Sequence, residues 1–371
     1  MIEELSVTRR IKELMQLYGI SGEIVVCQRN NSGHINDTHY VVVLTPRGNR
    51  REFIFQRVNT QVFTEPLKIM HNISVISEHI ERKYGKNSRE TYQIMSYLNN
   101  RDGKNYAELS DGSFWRVNEF VEGVAYDQID QPKVLHDTGY MFGHFQNMLS
   151  DCDTNKLEYT IPDFHNTKKR LAALRKKADE DPCNRVSRVE DEINFFFDNS
   201  QIADELVKEQ ESGVLPLRVT HNDTKYNNML VHAVTKEPIC VLDLDTVMPG
   251  LSAHDYGDGI RCAANKAVED ETDLSLVGLD KTYFESFTKG FVTEAKNFLT
   301  EAEVNSLALG ALTITYELAS RFLLDYIDGD NYFKISRRDH NRDRAKCQMQ
   351  LAKDMIANFD YMENTIKRYY Q

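Results

Sequence analysis

Short apolar segments with alternating polar positions occupy the first third of the chain. Segments 23–28, 38–44 and 51–58 are rich in β-branched and aromatic residues and are separated by turn-forming sequences, which predicts three β-strands. The segment between Thr64 and Gly85 has helical spacing, with Thr64 as the predicted N-cap and Gly85 just past the end. Further on, NYAELS and FWRVNEFV flank the turn DGS, which predicts a hairpin with Trp115 in its core.

The pattern changes near Gly123, where long helical periodicities begin. One β element interrupts them, because NNMLV and PICVLDLD flank the turn AVTKE and predict a second hairpin. We therefore predict an α+β protein with two lobes, a small β-rich lobe at 1–122 and a large helical lobe at 123–371. The predicted helices of the second lobe are 131–150, 165–179, 187–213, 280–297, 301–327 and 338–370.

Composition narrows the possible partners. Hydrophobic residues make up 41% of the 371 positions, enough for a large core. The formal net charge of −12 argues against nucleic acid and anionic membranes as main partners. The N-terminus lacks the apolar segment of a signal peptide, and no stretch approaches the roughly 18 apolar residues of a membrane span. The six scattered cysteines favour a reducing compartment. We expect a cytoplasmic protein, monomeric or weakly homodimeric.

The segment VTHNDTKYNNMLV, residues 219–231, carries the strongest chemical signal. It places His221, Asp223, Lys225 and Asn228 immediately before a predicted strand. Such side chains are costly to bury unpaired, so they either cap a turn or hold a ligand. His221 is expected to orient the loop by hydrogen bonds and not to transfer protons.

Phosphoryl transfer from ATP needs these residue types. A carboxylate positions the acceptor hydroxyl, a cation neutralises the moving phosphoryl group, and hard oxygen ligands hold Mg²⁺. Asp223 and Lys225 offer the first two, while Asn228 and Asp243 offer the oxygens. The second hairpin would bring Asp243 back beside the loop. Asp245 could support the metal site or cap a helix, and a polar turn with Asx caps is the alternative for the whole segment.

Eight motifs in order give the sequence a specific resemblance. They are GHINDTHY, FQRVN, WRVNEFVEG, FHNT, RVTHNDTKYNN, DLDTVMPG, DYGDGIR and RFLLDYIDGDNYF. The loop resembles that of the kinase-like small-molecule phosphotransferases, the aminoglycoside phosphotransferase and choline kinase group, and the full set resembles the N-acetylhexosamine 1-kinases. This resemblance implies a bilobal protein-kinase-like fold. It also implies ATP and Mg²⁺ as cofactors and a sugar phosphorylated at its anomeric C1 hydroxyl.

The resemblance also assigns roles to single residues. Asp223 matches the catalytic aspartate, Lys225 a lysine that reaches the γ-phosphate, and Asn228 and Asp243 the Mg²⁺ ligands. Asp255 matches the aspartate that braces the catalytic loop, for which a helix cap is the plain alternative.

Three further residues match the sugar side of the family: His34, Arg321 and Tyr332. His34 has a turn role as its alternative. Arg321 could instead form a surface pair with Asp325, and Tyr332 could simply pack.

The nucleotide side departs from the wider kinase pattern. The turn NNSGHINDTH has one glycine, and the third strand carries no lysine at the position where kinases place their phosphate-pairing lysine. Arg57 is the nearest cation and Gln56 its neighbour, and the sequence does not decide which faces inward. We predict Arg57, Glu119 and Val121 as nucleotide contacts, the last two through the backbone of the interlobe link.

Two other functions remain open at this stage. One is a kinase for another small alcohol, such as choline, homoserine or an aminoglycoside. The other is a catalytically inactive nucleotide-binding module.

Overall fold

A five-stranded antiparallel sheet with one helix on its outer face forms the N-terminal lobe in the computed structural model, which describes residues 2–30 and 35–371. Helix α1 (Ile2–Leu17) packs on this sheet through Leu14, which shares a core with Phe55 and Trp115. The strand order is β1-β2-β3-β5-β4. The strands are β1 (Glu23–Asn30), β2 (Asp37–Leu44), β3 (Arg50–Arg57), β4 (Ala107–Glu108) and β5 (Phe114–Glu119). The three predicted strands and the first hairpin are therefore confirmed.

Helix α2 (Pro66–Tyr84) connects the two lobes. It ends before Gly85 as predicted, but its N-cap position is Glu65, which makes no side-chain cap bond, so Thr64 is not the cap. Ile73 of α2 lies in the same buried cluster as Val241 of the second lobe. Residues before the predicted boundary therefore share a core with the residues after it.

Nine helices among the described residues build the C-terminal lobe. Two predicted helices are each split in two, at Asn199 and at Asn358. Both asparagines donate their side-chain amide to the carbonyl four residues back, at 2.8 Å. This bond competes with continuation of the helix and ends it. The helices are α3 (Pro132–Met148), α4 (Thr167–Glu180), α5 (Glu190–Asp198), α6 (Gln201–Glu211), α7 (Ser252–Ala263), α8 (Lys281–Ala295), α9 (Glu301–Asp328), α10 (His340–Ala357) and α11 (Phe359–Tyr370).

Helix α9 is the central element of this lobe. By length and composition alone its 28 residues could cross a membrane, contrary to the sequence expectation that no segment would come close. However, 78% of its most apolar window is buried inside the protein. A capping box at Thr300 and Glu303 starts the helix, and Gly329 in the left-handed region ends it. It therefore behaves as the core helix of this lobe.

Helix α7 was not predicted, because only a short apolar row marks it among polar residues. Its sequence SAHDYGDGIRCA is largely polar, and yet it is almost entirely buried. Gly257 lies against the backbone of Gly310 in α9, where a Cβ would come within 2.4 Å of the Gly310 carbonyl oxygen. The absence of a side chain lets the two helices approach closely. α7 thus delivers its charged residues to the interior beneath the catalytic loop.

Short strands carry that loop. The predicted second hairpin is confirmed, with Met229 paired to Val241. Because Leu242 donates its N–H to the Asn228 carbonyl at 2.8 Å, the residues that follow this strand lie beside the end of the loop. The strands of the lobe are β6 (Val124–Ala125), β7 (Arg218–Thr220), β8 (Met229–Val231), β9 (Pro238–Val241) and β10 (Met248–Gly250), arranged as β6-β8-β9 and β7-β10.

Candidate active site

The catalytic loop leaves β7 at a buried histidine. His221 places Nε2 2.7 Å from the Leu242 carbonyl, and its ring lies edge-on to Phe142 and Phe145. These contacts tie the loop to the strand that leads to Asp243. They suit the orienting role expected from the sequence, because the ring is enclosed by aromatic side chains and fixed to the backbone.

Asp255 of α7 supports the loop from below. Its Oδ2 accepts the His221 N–H at 2.9 Å, and its Oδ1 accepts the Asn222 N–H at 2.6 Å. Gln146 adds a third donor at 2.6 Å. Asn222 has φ +63°, in the left-handed region, so the loop needs such external support to hold its turn. The carboxylate is fully buried and braces the loop as the resemblance implied.

Each carboxylate oxygen of Asp223 is bound by one side chain of the loop. Lys225 Nζ lies 2.6 Å from its Oδ1, and Asn228 Nδ2 donates to its Oδ2 at 2.8 Å. The Asn228 amide also donates to the Asp223 carbonyl at 2.9 Å. This orientation leaves the amide oxygen of Asn228 as the atom that can face a cation. The structure therefore brings the three predicted loop residues together in one constellation.

Asp243 lies at the end of β9 in the left-handed region, with φ +54°. Its side chain is exposed to solvent, but desolvation by the protein packed around it, together with repulsion from Asp245 and Asp223, raises the pKa of its carboxyl to about 7. A divalent cation would relieve this repulsion, and carboxylate and amide oxygens are the ligands that Mg²⁺ prefers. The donor set of Asp243 and Asn228 fits Mg²⁺, with phosphate oxygens and water completing the shell. The described residues contain no cluster of three or more His, Cys, Asp or Glu side chains that would hold a metal without a nucleotide.

A second buried carboxylate stands behind Lys225. Asp258 accepts the Thr224 N–H at 3.0 Å and pairs with Arg261 at 2.8 Å. Burial lowers the pKa of Lys225, but the charges of Asp223 and Asp258 outweigh it and raise that pKa overall. Lys225 therefore carries a firm positive charge. The sequence reasoning did not single out Asp258, although DYGDGIR was one of the motifs of the resemblance.

Of the two neighbouring residues at the end of the third strand, Gln56 points into the cleft between the lobes and Arg57 does not. Gln56 faces the cleft, where its amide oxygen accepts two bonds from Arg116 of β5. Arg57 lies on the other face, since its neighbours Phe53 and Phe55 pack against α1, and it is exposed. The prediction of Arg57 as a nucleotide contact is therefore wrong. Arg116 was missed, although a charged residue in the middle of a buried strand was a signal.

The interlobe link, residues 119–123, carries the other two predicted nucleotide contacts, Glu119 and Val121. The Glu119 side chain is 61% exposed and pairs with Arg51, and its carbonyl accepts the Asn118 amide. Both groups of Glu119 thus have partners inside the protein, and its nucleotide contact stays a prediction. The Phe120 N–H is bonded to the Glu52 carbonyl. Within residues 2–30 and 35–371, the main chain of Val121 has no hydrogen-bond partner, a feature it shares with Glu122, and the nucleotide contact at Val121 stays a prediction.

The predicted acceptor side is only partly assembled by described residues. His34 lies outside the described residues. The Arg321 guanidinium lies 5.9 Å from the centre of the Tyr332 ring and 5.8 Å from that of Phe164. Tyr332 itself is 71% exposed, so it does not pack in a core. The alternative pair between Arg321 and Asp325 is absent from the part of the chain that the structure describes.

Asp325 instead organises the loop that carries Tyr332. Its Oδ1 accepts the N–H groups of Asn331 and Tyr332 at 2.9 and 2.8 Å, and its Oδ2 accepts that of Phe333 at 2.9 Å. A buried carboxylate that holds three successive N–H groups fixes the loop backbone. Tyr332 is thus presented to solvent from a rigid base.

His165, from the motif FHNT, is a neighbour that the sequence reasoning did not assign. Its Nδ1 lies 3.0 Å from Glu317 Oε1, and Thr167 holds the other oxygen of Glu317 at 2.7 Å. The second ring nitrogen of His165 is buried and has no partner among the described residues. His165, His254 and the loop residue Asn222 line a cavity of about 340 Å³. An unpaired ring nitrogen beside such a cavity can bind a hydroxyl or an amide.

Comparisons with known proteins agree with this architecture. A family profile described as the phosphotransferase enzyme family matches residues 26–290, most of the chain. Amicoumacin kinase hAmiN, solved in complex with AMP-PNP, Ca²⁺ and Ami, is 13% identical, with a TM-score of 0.56 over 99% of this chain and 96% of its own. An aminoglycoside phosphotransferase from Alicyclobacillus acidocaldarius is 13% identical, with a TM-score of 0.58 over 94% and 95%. A microcompartment-associated aminopropanol kinase is 14% identical, with a TM-score of 0.57 over 95% and 98%. The kinase-like fold predicted from the sequence is confirmed.

Proposed function

Because the chain belongs to the phosphotransferase enzyme family, we propose that it transfers the γ-phosphoryl group of ATP to the anomeric C1 hydroxyl of an N-acetylhexosamine. One observation carries the phosphoryl transfer. Asp223, held by Lys225 and Asn228, lies beside the loop end that carries Asp243. The sugar and its C1 position rest on the eight motifs, which extend beyond the catalytic loop into the acceptor side.

Each residue of the loop has a separate role in the proposed reaction. Asp223 orients the attacking hydroxyl and accepts its proton as the phosphoryl group transfers. Lys225 carries its charge toward the transferring group, where negative charge must be stabilised. Asn228 and Asp243 would hold Mg²⁺, which supplies charge neutralisation on the phosphates. Asp255 and His221 keep this arrangement fixed, so that little reorganisation is needed when the substrate arrives.

The charge of the acceptor side favours a neutral acceptor over a cationic one. Arg321 and Arg170 lie close enough that Arg321, after burial, is the next cause of the lowered pKa of Arg170. Glu317 and Asp163 lie nearby and offset part of this positive charge, but the two guanidinium groups would repel the ammonium group of choline or an amino alcohol placed against them. Hydroxyl and amide groups of a sugar would instead find donors in Arg321 and Tyr332 and a free ring nitrogen in His165. Because of this charge pattern, a cationic alcohol is the less favoured class of acceptor.

A screen of acceptors tests the proposal. The purified protein is incubated with ATP and Mg²⁺ and either free sugars or amino alcohols, and ADP release is followed. We expect release with N-acetylhexosamines. The product should lose its reducing end and show phosphorus–proton coupling to H1 by NMR.

Two results would count against the proposal, at different levels. A product that still reduces ferricyanide and couples to the H6 protons would refute the C1 position and leave the kinase intact. ADP release only with amino alcohols would replace the sugar by a cationic acceptor.

A further inference from the structure

A buried ion pair joins the two lobes next to the metal loop, the segment 242–246 that carries Asp243. Arg116 Nη1 lies 2.5 Å from Asp245 Oδ1, and the two side chains are only 1% and 2% exposed. The guanidinium also donates Nε and Nη2 to the amide oxygen of Gln56, at 2.8 and 2.6 Å. The ring of Tyr97 lies 4.6 Å from the centre of the guanidinium. Each nitrogen of Arg116 therefore makes a bond inside the protein, and the side chain is almost fully buried.

The second oxygen of Asp245 is also occupied. Asn36, which immediately precedes β2, donates its amide to Asp245 Oδ2 at 2.8 Å. The amide oxygen of Asn36 in turn accepts the Asn59 N–H at 2.9 Å. One carboxylate of the C-terminal lobe thus receives donors from two separate segments of the N-terminal lobe. Each oxygen of Asp245 therefore already accepts a bond from the N-terminal lobe, and the side chain is almost fully buried.

Stability alone does not account for such a pair. Burying two charges costs desolvation energy that their attraction only just offsets, and apolar side chains of similar volume often stabilise a protein as well or better. Asp245 stands two residues after Asp243, within the three-residue turn Leu244–Thr246. Asp243 has φ +54°, a conformation that a residue with a side chain keeps only under constraint from its surroundings. The bonds from Arg116 and Asn36 to Asp245 supply that constraint.

We infer that Arg116 and Asp245 act as a positioning pair that holds Asp243 in place for Mg²⁺ and couples the metal loop to the N-terminal lobe. This inference rests on the proposed kinase function. In protein kinases, an ion pair between a lysine of the third strand and a glutamate of a helix must form before catalysis. Here the third strand carries Gln56 instead, and the cation comes from the neighbouring strand at the position directly opposite, Arg116.

The test removes both charges at once. Single changes at either residue would leave an unpaired buried charge, so the main variant is Arg116→Met with Asp245→Asn. Binding of ADP is measured by calorimetry with Mg²⁺ and with EDTA, and folding is checked by thermal unfolding. We expect ADP binding in EDTA to be unchanged, while the tightening caused by Mg²⁺ falls by about 10- to 100-fold, as for other residues that orient metal ligands. Lys83→Met with Asp151→Asn, which removes an exposed pair, is the matched control and should keep the full Mg²⁺ effect.

A milder variant keeps the inference testable if the double variant does not fold. Asn36→Ala removes only the donor to the second oxygen of Asp245, and we expect it to reduce the Mg²⁺ effect by a smaller factor. A folded double variant or an Asn36→Ala protein with the wild-type Mg²⁺ effect would overturn the inference. If the wild-type protein itself shows no Mg²⁺-dependent tightening of ADP, the proposed kinase function fails instead, and the two failures are distinguished.

Discussion

Replacing Asp255 by asparagine should loosen the catalytic loop without removing any group that touches substrate. The aspartate uses both oxygens, one for Asn222 and the other for His221 and Gln146. Asparagine has a single acceptor oxygen, so its NH₂ must face at least one of these N–H groups. A buried donor without an acceptor costs about 1–3 kcal/mol, and loss of the charge from the remaining bonds brings the total to about 2–4 kcal/mol.

The size of the expected change in Tm follows from the length of the chain. An unfolding entropy of about 2.1 cal/mol/K per residue, taken over 371 residues, converts this loss into a Tm lower by about 3–5 °C. A shift of the loop by a fraction of an ångström to 1 Å should also lower kcat by about 10- to 100-fold. Calorimetry and steady-state kinetics measure the two effects.

The matched control is Asp179→Asn, which makes the same chemical change on the exposed side of α4. It should alter neither Tm nor kcat. If Asp255→Asn also kept Tm within 1 °C and kcat within about twofold of wild type, the brace would be refuted.

Three further results are expected. Asp223→Asn should lower kcat by about 100-fold or more while ATP still binds, measured by kinetics and calorimetry, and near-normal turnover would remove Asp223 from the mechanism. Arg321→Ala should raise KM for the sugar far more than KM for ATP, whereas equal rises would place Arg321 outside the acceptor site. Burial raises the pKa of Glu317, but His165 and Arg321 outweigh it and lower that pKa overall, so its contribution to stability is present above about pH 4.3 and is lost as the pH falls. The stability difference between wild type and Glu317→Gln in urea should therefore shrink from pH 7 to pH 3, and a constant difference would contradict this.

The sequence predicted the elements whose pattern is local. Strands β1 to β3 and the long helices have clear periods, and their bounds differ from prediction by a few residues. The helix α7 was missed because its short apolar row is interrupted by charged residues and glycines that are buried as well. Gly257 makes that burial possible, and no periodicity marks a glycine that is needed for close approach.

The same distinction holds within the site. The spacing of His221, Asp223 and Asn228 was sufficient to predict the catalytic loop, because these residues meet through one short turn. Arg116 and Asp245 are 129 positions apart and meet only after the lobes have assembled. Their contact depends on the strand register and on the lobe interface, neither of which can be derived from a single sequence.

The absence of a lysine on the third strand follows from this contact. Gln56 and Arg116 are directly opposite each other in the antiparallel pair of β3 and β5. Two cations at opposite positions on one face of a sheet destabilise it, and this pair faces a buried carboxylate with only one negative charge. Once the cation stands at Arg116, the opposite position needs an uncharged acceptor, and the amide oxygen of Gln56 supplies it. The departure from the kinase pattern is therefore a relocation of the positive charge to the adjacent strand, where it binds Asp245. Under the proposed function, Lys225 and Mg²⁺ would then neutralise the charge of the phosphates.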